Sequence, residues 1–73
     1  MRRHLIVLIE REGDGYVSLC PELDVASQGD TIEEAKNNLQ EALELFFECA
    51  SEEEIVRRQK NEIYVGRVEI AIE

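Results

Sequence analysis

Groups able to do chemistry are few in this chain: one histidine, His4, and two cysteines, Cys20 and Cys49. His4 stands just ahead of an apolar run, with no serine or cysteine nucleophile placed beside it by spacing, and reads as a strand-end surface histidine. A hairpin could bring Cys20 toward His4 as a thiol–imidazole pair. Cys20 precedes Pro21 at a strand end, however, where a small buried side chain is the commoner use of cysteine. Neither cysteine belongs to a CxxC or CxxH pattern, so a zinc site and a disulfide framework both lack support. Carboxylates are plentiful, but they show no EF-hand spacing and most fall on what should be the solvent face of a helix. Gly13, Gly15, Gly29 and Gly66 do not form a phosphate loop, because none opens a helix with GxxxxGK or GxGxxG spacing. The expectation is a protein with no catalytic residue, no metal site and no bound cofactor.

Charge narrows the class of partner. Seventeen acidic against eight basic residues give a net charge of -9, which repels phosphate backbones and argues against direct binding of nucleic acid. A basic protein partner suits this balance, while simple solubility of a small domain explains it equally well. At 73 residues, 44% hydrophobic and 34% charged, the chain is expected to form one globular domain. A fold of this size buries only about 60% of its unfolded surface, which makes self-association plausible. The apolar run 5–9 is far shorter than the roughly 20 residues that span a bilayer, and no apolar signal segment precedes it. A soluble, cytoplasmic protein with no membrane contact is expected.

The elements that would position these groups follow from periodicity and punctuation. Residues 3–11 read as a strand, with Leu5, Val7 and Ile9 on one face and Ile6 and Leu8 on the other, the two-faced pattern of a central strand. EGDG at residues 12–15 supplies a hairpin turn into a second strand at 16–20, which Pro21 ends because it has no N–H for a ladder. A third strand at about 24–28 stops at Gly29. Thr31 with Glu34 then forms a capping box, overlapped by Asp30 with Glu33, and opens a helix over about 31–50. Ile32, Ala35, Leu39, Ala42, Leu43, Phe46 and Ala50 fall on one stripe of it, to pack on the sheet. Leu45 and Phe47 flank that stripe, either widening the buried face or sealing an oligomer contact. A second capping box, Ser51 with Glu54, begins a short helix over about 52–60. Finally, Val68, Ile70 and Ile72 alternate with Arg67, Glu69 and Ala71, so residues 63–72 read as a fourth strand.

The fold expected is α+β, a single small domain over residues 1–73 in the order β-β-β-α-(short α)-β. Its four-stranded sheet would have order 3-2-1-4, with the long helix on one face and the last strand parallel to the first by crossover. The opposite face of such a sheet is left open. A homodimer or higher homo-oligomer, formed through that face or an exposed strand edge, would cover it.

A leading apolar strand, then Tyr16 and Val17, Pro21, Glu22 and Leu23, Gly29, Thr31, Glu34 and Ala35, Asn38, and Glu41, Ala42 and Leu43 together resemble the HicB antitoxin family. The resemblance implies a partial ribonuclease H-like fold and an antitoxin function. Such a protein binds and occludes a small basic toxin of the HicA type, which cleaves messenger RNA with a histidine. Carboxylates offered to that partner would be Glu33, Glu41, Glu44 and Glu48 on the long helix, with Glu52, Glu53 and Glu54 as a second cluster. The matched residues Pro21, Gly29, Thr31, Glu34 and Ala35 have structural work as strand stop, turn, cap and packing residue. Asn38, at the margin of the apolar stripe, suits a bond to the sheet's loop backbone. Many HicB proteins carry a further C-terminal DNA-binding domain. This sequence ends at Glu73, so operator binding is not expected. Two alternatives stand beside the antitoxin: a stand-alone HicB-like oligomeric interaction module with another protein partner, and a metal-dependent nuclease. The nuclease lacks a convergent carboxylate cluster, since the first strand offers only Glu10.

Overall fold

The computed structural model describes residues 3–59 and 62–72. Its first element pair is an antiparallel hairpin, β1 (Leu8–Glu12) and β2 (Gly15–Cys20), in which Leu8 faces Leu19 and Glu12 faces Gly15. The two-residue loop places Gly13 at φ +59°, the first central position at which a type II′ turn takes glycine. β2 ends before Pro21, and the chain turns through Asp24 at φ 58°, a left-handed conformation that aspartate tolerates. It returns as β3 (Val25–Gly29), antiparallel to β2 with Ser18 opposite Ser27.

α1 (Ile32–Cys49) begins at its Thr31 cap, whose Oγ1 accepts from the Glu34 N–H at 3.0 Å. The Glu34 carboxylate accepts from the Asp30 N–H at 3.1 Å, one residue earlier than the reciprocal bond of a standard capping box. Ser51 caps α2 (Glu52–Arg58) in the same way, its Oγ accepting from the Glu54 N–H at 3.2 Å. α1 packs on one face of the sheet, chiefly against β3 and β2. Cys20, Leu23, Leu39 and Leu43 form the buried cluster, with Leu5, Val25, Phe46 and Phe47 packed around it. Burying a leucine of this kind contributes about 1.5–3 kcal/mol.

Two contacts fix the helix on the sheet. The buried Ser18 hydroxyl donates to the Ala35 carbonyl at 2.8 Å, and the Asn38 side-chain amide donates to the Gln28 carbonyl at 2.8 Å, the structural bond expected of it. Between them the backbones come so close that a Cβ on Gly29 would lie 2.5 Å from the Ala35 nitrogen.

Among the described residues the expected four-stranded sheet is not formed. The sheet has three strands in the order β1-β2-β3, and the element order is β-β-β-α-α. Residues 63–72 carry the alternation of a strand but join no ladder among the described residues. Val68, Ile70 and Ile72 remain 81%, 69% and 88% exposed. Period-two alternation fixes which side chains share a face; it does not supply a neighbouring edge. Without a fourth strand, β1 lies at the sheet edge rather than at its centre. It also begins at Leu8 instead of residue 3, because Pro21 ends the partner strand. The Ile6 N–H is held by the Glu22 carboxylate at 2.6 Å in place of a ladder bond. The second helix ends at Arg58; residue 60, the end expected for it, lies outside the described residues.

Phe47 is half-buried against the core, whereas Leu45 is 59% exposed, so the two flanking residues divide between packing and surface. Ile32, expected on the buried stripe, is 54% exposed in the first turn of α1. Because the Gly29 contact is backbone against backbone, Gly29→Ala should cost about 1–3 kcal/mol, read as a lower urea midpoint. Gly13→Ala has open space around it and carries only the left-handed penalty of about 1–2 kcal/mol. A Gly29→Ala protein as stable as the parent would contradict the close approach.

Candidate protein-binding surface

The carboxylates singled out in the sequence occupy the face of α1 turned from the sheet. Glu33, Glu41, Glu44 and Glu48 are all exposed, while Ala35, Leu39 and Leu43 on the other side are buried. They share that face by helical spacing but are strung along it, Glu33 and Glu48 being about 22 Å apart along the axis at 1.5 Å per residue. They therefore form a stripe and not a concave site. Glu52 and Glu53 are exposed in the first turn of α2, and Glu54 is half-buried there, its N–H committed to the Ser51 cap. α1 has no basic residue in its last turn; α2 has Arg57 and Arg58 in its own.

A second surface was not legible in the sequence. Beside the free edge of β1, the segment before that strand and the flank of α1 enclose an open groove. Leu5, Val7, Leu43 and Phe47 supply apolar walls, with Arg3, His4, Lys36 and Glu44 among its polar residues. The Arg3 guanidinium lies 4.9 Å from the centre of the Phe47 ring and donates to the Gln59 side chain at 3.3 Å. Phe46 meets Phe47 edge to face at 5.4 Å, and Arg58 lies 5.4 Å from the Phe46 ring. Only the apolar parity of residues 5–9 hinted at this groove, since its other wall comes from a helix thirty-odd positions away along the chain.

The groups considered for catalysis are dispersed. Cys20 is fully buried and its Sγ faces the Glu22 carboxylate at 3.8 Å, while His4 is exposed in the groove. Among the described residues no three His, Cys, Asp or Glu side chains gather as a metal site. Burial pushes the Cys20 thiol above its usual range, the neighbouring Glu22 charge acts in the same direction, and bonds from the Leu23 and Glu22 backbone oppose it.

The chain has relatives in bacteria. A UPF0150 protein from Helicobacter pylori is 34% identical over 65 residues, which cover 88% of this chain and 90% of the relative. The chain belongs to the UPF0150 family. Two UPF0150 members from Synechocystis sp. are also similar, one 54% identical over 44 residues and the other 46% identical over 50. The matched residues cover 58% of this chain and 56% of the first Synechocystis protein, and 66% of this chain and 69% of the second. No protein-family model matches the chain, and no solved structure matches it. No described helix of this UPF0150 chain is long and apolar enough to cross a membrane.

The two thiols should differ sharply in reactivity. At neutral pH a thiol reagent is expected to label exposed Cys49 and to spare Cys20 until urea unfolds the chain. Because the unfolded Cys20 thiol ionises first, stability should be retained below the usual thiol range and decline as pH rises through it toward the raised folded value. Equal labelling of both thiols in the native protein would contradict this placement.

Proposed function

We propose that this UPF0150 chain is an antitoxin-like inhibitor that binds a small basic mRNA-cleaving toxin of the HicA type. It would act in the cytoplasm by covering the toxin's RNA-binding face or catalytic histidine, without catalysis of its own. The observation that carries this reading is the negative charge gathered where α1 meets α2. Glu48 stands in the last turn of α1, which holds no basic residue, and Glu44 one turn before it. A carboxylate at the negative end of a helix costs roughly 0.3–1 kcal/mol. Glu52, Glu53 and Glu54 suit the positive end of α2, yet they add charge to the same junction. At the end of α1 that concentration is unfavourable in the free chain; a cationic partner would relieve it and would be steered to it over long range. The residues that resemble HicB, from Tyr16 to Leu43, support the same reading.

A second reading, a stand-alone HicB-like interaction module with another partner, draws on the exposed apolar residues Val68, Ile70 and Ile72. Two observations separate them: whether the adjacent reading frame encodes a short basic protein, whose absence would favour the stand-alone module, and co-expression with such a protein. The antitoxin reading expects rescue of growth and a complex whose association rate falls about 10-fold or more as salt is raised from low to physiological. Glu44→Lys combined with Glu48→Lys should slow association by about as much. Glu48→Lys alone should stabilise the free chain by roughly 0.3–1 kcal/mol, since it complements the helix end. Failure to rescue, or an association rate indifferent to salt and to charge reversal, would sink the antitoxin reading.

A further inference from the structure

Two unpaired features of this chain are complementary. The outer edge of β1 and the segment before it present backbone groups with no ladder partner among the described residues, beside a groove walled by Leu5, Val7 and Phe47. Residues 63–72 belong to no helix or ladder, alternate in sequence with the period of a strand, and leave Val68, Ile70 and Ile72 exposed. An exposed apolar strand and an open edge are each a template for pairing with another chain. The chain alone does not bring them together: its radius of gyration is 14.5 Å and its longest dimension 50 Å, against a radius of about 11 Å for a compact chain of this length.

We propose that residues 63–72 of one copy add as an edge strand to β1 of a second copy, seating Val68, Ile70 and Ile72 in the groove between its N-terminal segment and α1. The exchange is reciprocal, so a single two-fold axis satisfies both edges and closes the assembly as a dimer. The parity agrees on both sides. Ile9 faces Ser18 across the ladder, and Ser18 bonds to Ala35 of α1, so Leu5 and Val7, at the same parity, look toward the helix. In such a strand Val68, Ile70 and Ile72 would likewise share one face, while Arg67, Glu69 and Ala71 would point the other way to solvent. The open face of the sheet fits this occupant less well: it is interrupted by Glu10 and Gln28 and offers no free backbone groups.

Sedimentation velocity on the full chain at micromolar concentration reads the stoichiometry, and isotope-filtered NOE spectra on mixed labelled and unlabelled chains read which copy each contact joins. A dimer is expected, with intermolecular NOEs between the methyls of Val68 or Ile70 and those of Leu5 or Val7. Ile70→Asp, which would bury a carboxylate in the apolar groove, should weaken dimerisation by about 100-fold or more. Glu69→Lys, on the outward side, should leave it intact, and both variants should keep the helical circular dichroism of the parent. A monomer at micromolar concentration, a dimer that survives Ile70→Asp, or tail contacts that are all intramolecular would each overturn the proposal. Salt keeps it distinct from toxin binding: a strand-paired dimer of a chain carrying -9 should hold or tighten as salt screens self-repulsion, whereas toxin capture weakens.

Discussion

The contact on which the rest of the molecule depends is the meeting of two backbones at Gly29 and Ala35. With no side chain on Gly29 and only a methyl on Ala35, the first turn of α1 can lie directly on the end of β3. The Ser18 hydroxyl and the Asn38 amide then lock that position from the two sides. Once the helix start is fixed, its direction decides everything further along. Leu39 and Leu43 descend onto Cys20 and Leu23, Phe46 and Phe47 close the far end, and the carboxylates have no direction left but outward. A single extra carbon at Gly29 would therefore be felt along the whole length of the helix.

Much of this was legible because it is local. Thr31 with Glu34 and Ser51 with Glu54 announce helix starts whatever the tertiary structure, since a cap satisfies donors within its own turn. The hairpin was legible for the same reason: Gly13 and Asp14 carry the turn within two residues. What was not legible depends on which segments meet. Residues 63–72 have the period of a strand, but periodicity is silent about the neighbour, and the expected parallel crossover onto β1 did not follow from it. Leu23 is another case. Standing in a turn with no periodic context, it gives no sign that it will be fully buried, because its burial is decided by Leu39 and Leu43 arriving from the helix. The partner surface was legible as a face and not as a site. Helical spacing alone gathers Glu33, Glu41, Glu44 and Glu48 on one side, while their use belongs to a second molecule that this sequence does not contain.

The molecule presents two surfaces of opposite character. Along α1 and the start of α2 it is acidic, responds to long-range fields, and loses its attraction as salt rises. Beside β1, the groove walled by Leu5, Val7 and Phe47 and the exposed Val68, Ile70 and Ile72 are apolar, and any association through them would follow desolvation, on which salt has little leverage. Glu44 borders both, the acidic stripe on one side and the groove on the other, so whatever fills the groove also sets the surroundings of one carboxylate in the stripe.

The single bond from the Glu22 carboxylate to the Ile6 N–H has a further consequence for the order in which the fold loosens. Residues 3–7 are held by that bond, by Leu5 against the core and by Arg3 on Phe47 and Gln59, with no run of ladder bonds behind them. The amide of Ile6 should thus exchange its hydrogen well before those of β2 and α1, whose opening requires the Gly29–Ala35 contact to part. The segment before β1 can therefore open without disturbing the helix and its charges, which are held by the Gly29–Ala35 contact.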